Sequence, residues 1–101
     1  MKWTKEQIRK MIIDCILETL QGDGNNDLSP LDDQTDPVRE LGLPSDDGIV
    51  IACLLSNKLG FEIPVEINPF IDDARRRSRR IGEIVNLILR LQEQSGVTEH
   101  A

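Results

Sequence analysis

The stretch from residue 44 to residue 60 constrains the fold most, because both of its ends carry the marks of a helix boundary. Pro44 disfavours the α-helical region for the residue before it, and the Ser45 hydroxyl can accept a hydrogen bond from a first-turn amide. Gly60 suits the position after the last turn. Apolar residues recur close to the 3.6-residue period at Ile49, Ala52, Cys53, Leu55 and Leu59. The pattern predicts a helix that starts after Ser45 as its N-cap, has Asp46 and Asp47 in its first turn, and ends before Gly60. Its outward positions are Val50, Ser56, Asn57 and Lys58.

Two further helices are predicted near the ends of the chain. The first runs from Thr4 to about Gln21, and Thr4 and Gln7 have the spacing of a capping box. Its inward stripe contains Ile8, Met11, Ile12, Cys15, Ile16, Thr19 and Leu20. The last helix runs from Ile81 to about Ser95. Its inward residues are Ile81, Ile84, Val85, Ile88, Leu89 and Leu91.

The segments between these helices are predicted to be mostly irregular. Residues 22–40 contain many turn-forming residues and two prolines, which exclude a long helix. We expect this long first loop to be pinned to the core by Leu28, Leu31, Val38 and Leu41. Farther on, Asp72 or Asp73 could open a short helix. The sequence therefore predicts one all-α domain, a bundle of four helices over residues 1–96, with a frayed tail over residues 97–101.

Composition excludes several classes of protein. The chain has 101 residues, 39% of them hydrophobic but only 3% aromatic, so the core must be built from aliphatic side chains. A net charge of −6 argues against general affinity for nucleic acid or anionic membranes. No apolar run is long enough to span a membrane or to serve as a signal peptide. We expect a cytoplasmic monomer in which Cys15 and Cys53 are free and mostly buried.

The charges are strongly segregated along the chain. Residues 21–50 carry eight acidic residues against Arg39, a net of −7, whereas residues 75–80 carry five arginines and no acid. The arginine run could be a solvated helix start paired with the acidic loop. Because cations in a first turn oppose the helix dipole, at about 0.3–1 kcal/mol each, a functional role stays open. The run could contact an anionic partner or a phosphate-bearing cargo, or form a nucleic-acid-binding arm.

No set of residues suggests independent catalysis or a metal site. His100 is the single histidine, and no Cys/His spacing is typical of a metal centre. The spacing of Asp23, Asn25 and Asp27 invites comparison with a calcium loop. Such a loop needs glycine at its sixth position and an acidic residue at its twelfth, where this chain has Leu28 and Gln34. We therefore expect neither a metal site nor an enzyme acting alone.

The spacing around Ser45 resembles that of the acyl carrier protein family. Members of that family carry Leu-Gly-x-Asp-Ser-Leu ahead of the second helix, which ends shortly before an Ile-Pro pair. Leu41-Gly42-Leu43-Pro44-Ser45-Asp46 and Ile63-Pro64 fit that frame without a gap. The strict part of the resemblance covers the 24 residues from Leu41 to Pro64. Pro44 replaces the usual aspartate and Asp46 the usual leucine.

This resemblance implies a four-helix acyl-carrier-like fold with 4'-phosphopantetheine attached covalently to Ser45. The arm would carry acyl, aminoacyl or polyketide intermediates as thioesters in lipid or related biosynthesis. The implied partners are a phosphopantetheinyl transferase and acyl-processing or acyl-transferring enzymes. Gly48 would leave room for the arm beside the helix. Without the family resemblance, the residues favour Ser45 as a helix cap over an attachment site, and the resemblance reverses that preference. The alternative is a non-enzymatic helical adaptor without the arm.

Overall fold

The structure is a computed structural model that describes residues 3–21, 31–44, 46–64 and 66–95. The described chain is mostly helical, and the predicted all-α class with four helices is confirmed at that level. The helices are α1 (Lys5–Gln21), α2 (Pro37–Leu41), α3 (Asp47–Leu59) and α4 (Ile81–Ser95). A short antiparallel hairpin of β1 (Ile71–Asp72) and β2 (Arg77–Ser78) precedes α4.

Helix α1 is the element against which the other two long helices pack. Its predicted capping box is confirmed, since the Gln7 amide donates to the Thr4 hydroxyl at 3.2 Å. The Thr4 amide donates in return to the Gln7 side chain at 2.9 Å. The fully buried stripe of α1 consists of Ile8, Ile12, Cys15 and Ile16. Facing it, α4 buries Ile81, Ile84, Val85 and Ile88, as its periodicity predicts.

Trp3, which precedes α1, forms hydrogen bonds with two of the other helices. The Trp3 indole donates to the carbonyl of Leu59, the last residue of α3, at 2.8 Å. The backbone of Trp3 exchanges two hydrogen bonds with the buried side-chain amide of Gln92 in α4, at 2.8 and 3.1 Å. A buried amide is stable only with such partners. Trp3 therefore fixes α4 against the C-terminal end of α3.

The end of the first loop is held on the start of α4. The Ile81 amide donates to the Thr35 carbonyl at 2.8 Å, and the Gly82 amide donates to the Asp33 carbonyl at 3.0 Å. These bonds satisfy amides that a helix N-terminus leaves without intrahelical partners. The Arg9 guanidinium contacts both carboxylate oxygens of Asp33, at 2.7 and 3.0 Å, and lowers the pKa of that carboxyl. Loop and helix start thus form one hydrogen-bonded unit.

Helix α2 is a short helix within the predicted loop. Asp36 caps it by accepting the Arg39 amide at 3.1 Å, with Pro37 in the first turn and Gly42 in the left-handed conformation at its end. The expected anchoring of the loop is confirmed at Leu31, Val38 and Leu41, which pack against the core. The fourth expected anchor, Leu28, lies outside the described residues.

The segment from residue 71 to residue 80 corrects two predictions. No helix opens at Asp72 or Asp73, and the arginine run does not start α4, because these residues form the hairpin and its turn. One long-range and one local contact hold the hairpin: the Ser78 hydroxyl donates to the buried Asp36 carboxylate at 2.6 Å, and Arg79 donates to the nearby Ile71 carbonyl at 3.0 Å. Since the run precedes the first turn of α4, the expected conflict with the helix dipole does not arise.

Most of the arginine run is used within the fold. Arg77 makes a two-pronged ion pair with Glu83 at 2.6 and 3.1 Å, and Arg80 donates to the Gln34 carbonyl at 2.6 Å. The predicted pairing with the first loop is therefore confirmed for Arg80, through a backbone carbonyl. Arg75 and Arg76 lie exposed in the hairpin turn, and Arg76 has a left-handed backbone with a φ of 55°.

The Arg77–Glu83 pair should make stability depend on acidity below neutral pH. Arg77 and the Arg80 amide lower the pKa of Glu83 to about 2 from the ordinary value of 4.5. A lowered pKa stabilises the folded state above pH 4.5, and this contribution is lost as the pH falls towards 2. Both side chains are more than a third exposed, so the effect is modest. We expect the free energy of unfolding in urea to fall less between pH 6 and pH 3 in Glu83→Gln and Arg77→Gln than in wild type. If the free energy of unfolding depended on pH in both variants as it does in wild type, the pair would not be the cause of this dependence.

Candidate functional site

The candidate site is the N-terminal end of α3 and the surface that continues from it. Before the helix, the buried side chain of Leu43 anchors the chain in the core, and the Leu43 amide donates to the Pro37 carbonyl at 3.1 Å. Pro44 and Asp46 are both exposed. Ser45, the predicted attachment residue, lies outside the described residues. The site is therefore built from the residues that flank it.

The start of α3 differs from the prediction that Ser45 caps the helix. The helix begins at Asp47, and Asp46 holds the N-cap position without a side-chain capping bond. The physical reason is a backbone turn, in which the Asp47 amide donates to the Pro44 carbonyl at 3.0 Å before the first helical turn is complete. The carboxylates of Asp46 and Asp47 remain at this end, where negative charge suits the helix dipole.

Helix α3 buries a face that overlaps the predicted one but is rotated from it. Its buried residues are Gly48, Ile51, Ala52, Leu55 and Leu59. The prediction was correct for Ala52, Leu55 and Leu59 but wrong for Ile49 and Cys53, which are exposed. Residues 49–51 are three consecutive β-branched apolar residues, so either stripe satisfies the helical period. Gly48, which has no side chain, starts the stripe that the fold buries.

An exposed apolar stripe follows from this orientation. Ile49, Val50 and Leu54 are 46%, 55% and 37% exposed, and Cys53 lies exposed between them. The predicted outward positions Val50, Asn57 and Lys58 are confirmed, whereas Ser56 is half-buried. The stripe contains no acidic residue after Asp47. Exposed apolar side chains that cluster in this way are typical of a binding surface.

A groove of about 410 Å³ runs beside this stripe. Helix α3 supplies Ile49, Cys53 and Asn57 to one wall, and the following segment supplies Phe61, Glu62 and Ile67 to the other. The volume falls within the range of about 300–1,000 Å³ that small-molecule sites occupy. Mostly apolar walls suit an aliphatic ligand. The first residue of the groove lining is Ile49, in the first turn of α3.

The groove wall after α3 is held in place by hydrogen bonds to the helix. The Ser56 hydroxyl donates to the Ala52 carbonyl at 3.0 Å and accepts the Ile63 amide at 3.0 Å. Gly60 ends the helix in the left-handed conformation, and its amide donates to the Ser56 carbonyl at 3.0 Å. Ser56 therefore positions the segment that forms the second wall.

The two cysteines have different surroundings. Cys53 is exposed on the groove wall, so the prediction that both thiols are mostly buried is wrong for this residue. Cys15 is buried in the core as predicted, and burial raises the pKa of its thiol. A thiol-directed reagent should therefore distinguish the groove from the core.

Gly48 serves packing, which corrects the expectation that it leaves room for an arm. The side-chain amide of Asn68 occupies the space that a Cβ at Gly48 would fill. That side chain is itself oriented, because its Oδ1 atom accepts a hydrogen bond from the Phe70 backbone amide at 3.0 Å. The close approach fixes the segment 66–70 against the start of α3.

We expect Gly48→Ala to destabilise the fold by about 1–2 kcal/mol, since the clash with Asn68 exceeds the gain in helix propensity. In an Asn68→Ala background the clash is absent, and the same substitution should stabilise by up to about 1 kcal/mol. Urea unfolding of the four proteins in this cycle measures both values. Destabilisation of the same size in both backgrounds would contradict the contact.

Comparison with known proteins provides no further identification of the site. No protein-family model, curated protein or solved structure matches this chain.

Within the described ranges, no group of three or more His, Cys, Asp or Glu side chains could hold a metal ion. Among the helices described, none is both long and apolar enough to cross a bilayer.

Proposed function

We propose that this chain is a specialised acyl carrier with a 4'-phosphopantetheine arm on Ser45. The motif from Leu41 to Asp46 and the Ile63-Pro64 pair support this assignment, and they do so from sequence alone. The observation that carries the proposal is the apolar groove along α3, whose lining starts at Ile49, four residues after Ser45 in the sequence. A carrier needs an attachment point beside a surface that can shelter an apolar cargo, and α3 supplies the second of these.

Attachment would proceed by transfer from coenzyme A. The Ser45 hydroxyl would form a phosphodiester with the phosphopantetheine unit, and adenosine 3',5'-bisphosphate would leave. The new phosphodiester carries one negative charge beside the N-terminus of α3, where helix amides and dipole favour an anion. Asp46 and Asp47 partly oppose that charge, so a transferase adapted to Pro44-Ser45-Asp46 is part of the proposal.

The arm would end in a thiol that carries the cargo as a thioester, and the enzymes of one dedicated lipid or related pathway would act on it. Tethering raises the concentration of the cargo at the partner's active site. The exposed stripe of Ile49, Val50 and Leu54 would dock these partners mainly through apolar contacts. The carrier itself would perform no catalysis and would act as a monomer in the cytoplasm.

A second function is favoured by the same exposed stripe. Apolar side chains on a helix surface can dock a partner without any arm, as expected of a non-enzymatic adaptor. The two functions differ in one respect that can be measured. Substitution of Ser45 abolishes carrier function but leaves adaptor binding unchanged.

The test of carrier function is the intact mass of the purified chain after incubation with coenzyme A and a broad-specificity phosphopantetheinyl transferase. Wild type should gain the mass of one phosphopantetheine, and Ser45→Ala should gain none. Ser95→Ala, a serine substitution at the last residue of α4, is the matched control and should gain the same mass as wild type. An increment that persists in Ser45→Ala would refute attachment at this residue.

A further inference from the structure

The groove beside α3 is apolar except at a few positions, and these have different roles. The Ser56 hydroxyl already makes its two bonds to Ala52 and Ile63. Asn57 contributes a neutral amide. Glu62 is the single charged residue among the described residues that line the groove, and it is exposed. No hydrogen bond or ion pair joins Glu62 to another described residue, so its carboxylate is available to a ligand.

The surroundings of the groove are acidic as well. Asp46 and Asp47 stand at the start of α3, and the whole chain carries −6. Lys58, the basic residue of α3, does not line the groove. The charge at the groove is therefore complementary to a cation.

We propose that the groove holds a linear aliphatic chain that ends in an ammonium group, carried as the cargo of the arm on Ser45. The inference rests on the proposed function for the tether and on the groove lining for the cargo chemistry. The apolar walls bury the methylene chain, and the Glu62 carboxylate pairs with the ammonium group. Because this pair is exposed, its expected preference over an uncharged end is about two- to fivefold in affinity.

The test measures how ligands protect Cys53 from iodoacetamide. The untethered probes are octylammonium, octanol and octanoate, which share one chain and differ in charge. Cys15 is the internal control, because trypsin separates it from Cys53 into the peptides 11–39 and 40–58. Octylammonium should protect Cys53 at about two- to fivefold lower concentration than octanol, with octanoate weakest. The preference should shrink in 1 M salt, at a Debye length of about 3 Å.

Variants locate the charge that is responsible. Glu62→Gln should remove the preference for octylammonium while leaving protection by octanol unchanged. Glu66→Gln, an exposed glutamate outside the groove lining, is the matched control and should retain the preference. Equal protection by all three probes, no protection by any of them, or loss of the preference in Glu66→Gln would each overturn the proposal.

The tether is tested separately from the groove. A transferase would load wild type from the coenzyme A thioesters of 8-aminooctanoate and octanoate, and Cys53 alkylation would then be compared between the two products. Stronger protection by the aminoacyl cargo supports the proposal, and equal protection overturns it for tethered cargo. Failure to load Ser45 counts against the proposed carrier function, whereas the untethered probes still decide the chemistry of the groove.

Discussion

Phe70→Ala should destabilise the fold by about 3–5 kcal/mol, a large part of the total of about 5–15 kcal/mol expected for such a domain. Phe70 is the largest of the fully buried side chains among the described residues. It also stands where the chain enters the hairpin, and its carbonyl accepts the Arg79 amide at 2.9 Å. Truncation leaves a cavity that the hydrogen-bonded backbone on either side cannot close.

Urea unfolding followed by circular dichroism and by the fluorescence of Trp3, the single tryptophan, measures this loss. Phe70→Leu is the matched control, since it retains most of the buried side chain and should lose less. A loss below about 1 kcal/mol for Phe70→Ala would show that residue 70 is not part of the core.

Ile51→Ala should cost about 2–5 kcal/mol, whereas Val50→Ala should change stability by no more than about 0.5 kcal/mol. The two residues are neighbours on α3 with opposite surroundings, since Ile51 is fully buried and Val50 is 55% exposed. The pair therefore measures which face of α3 the core contains. Equal losses for the two variants would contradict the orientation of this helix.

The same pair separates folding from function. Val50→Ala should weaken partner docking through the exposed stripe while the fold remains intact. Ile51→Ala should reduce binding only as far as it unfolds the protein. Affinity for an acyl-processing enzyme, measured at a temperature where both variants are folded, distinguishes these effects.

The long helices could be predicted because their signals are local. The Thr4–Gln7 capping box and the apolar stripes of α1 and α4 each lie within one segment. The buried face of α3 could not be predicted in the same way. Ile49, Val50 and Ile51 are consecutive apolar residues, so the helical period is satisfied whichever of them faces the core. Only packing against α1 decides which of them is buried.

The hairpin depends on a contact between distant parts of the chain, and the groove depends on how the chain turns after α3. The Ser78–Asp36 hydrogen bond joins residues 42 positions apart, and the strands of two residues carry little pattern of their own. The groove exists because the segment after Gly60 folds back beside α3, held by Ser56. Ser45 could be singled out from its motif, whereas Glu62 had no sequence signal that related it to a groove.

The measurement that tests the central claim most directly is the site of attachment. Trypsin releases the peptide 40–58, between Arg39 and Lys58, which contains the two serines Ser45 and Ser56. After incubation with coenzyme A and a phosphopantetheinyl transferase, fragmentation of this peptide by tandem mass spectrometry assigns the added mass to one residue. The carrier account predicts one phosphopantetheine on Ser45. An unmodified peptide with every transferase tried, or an increment on Ser56, would contradict it.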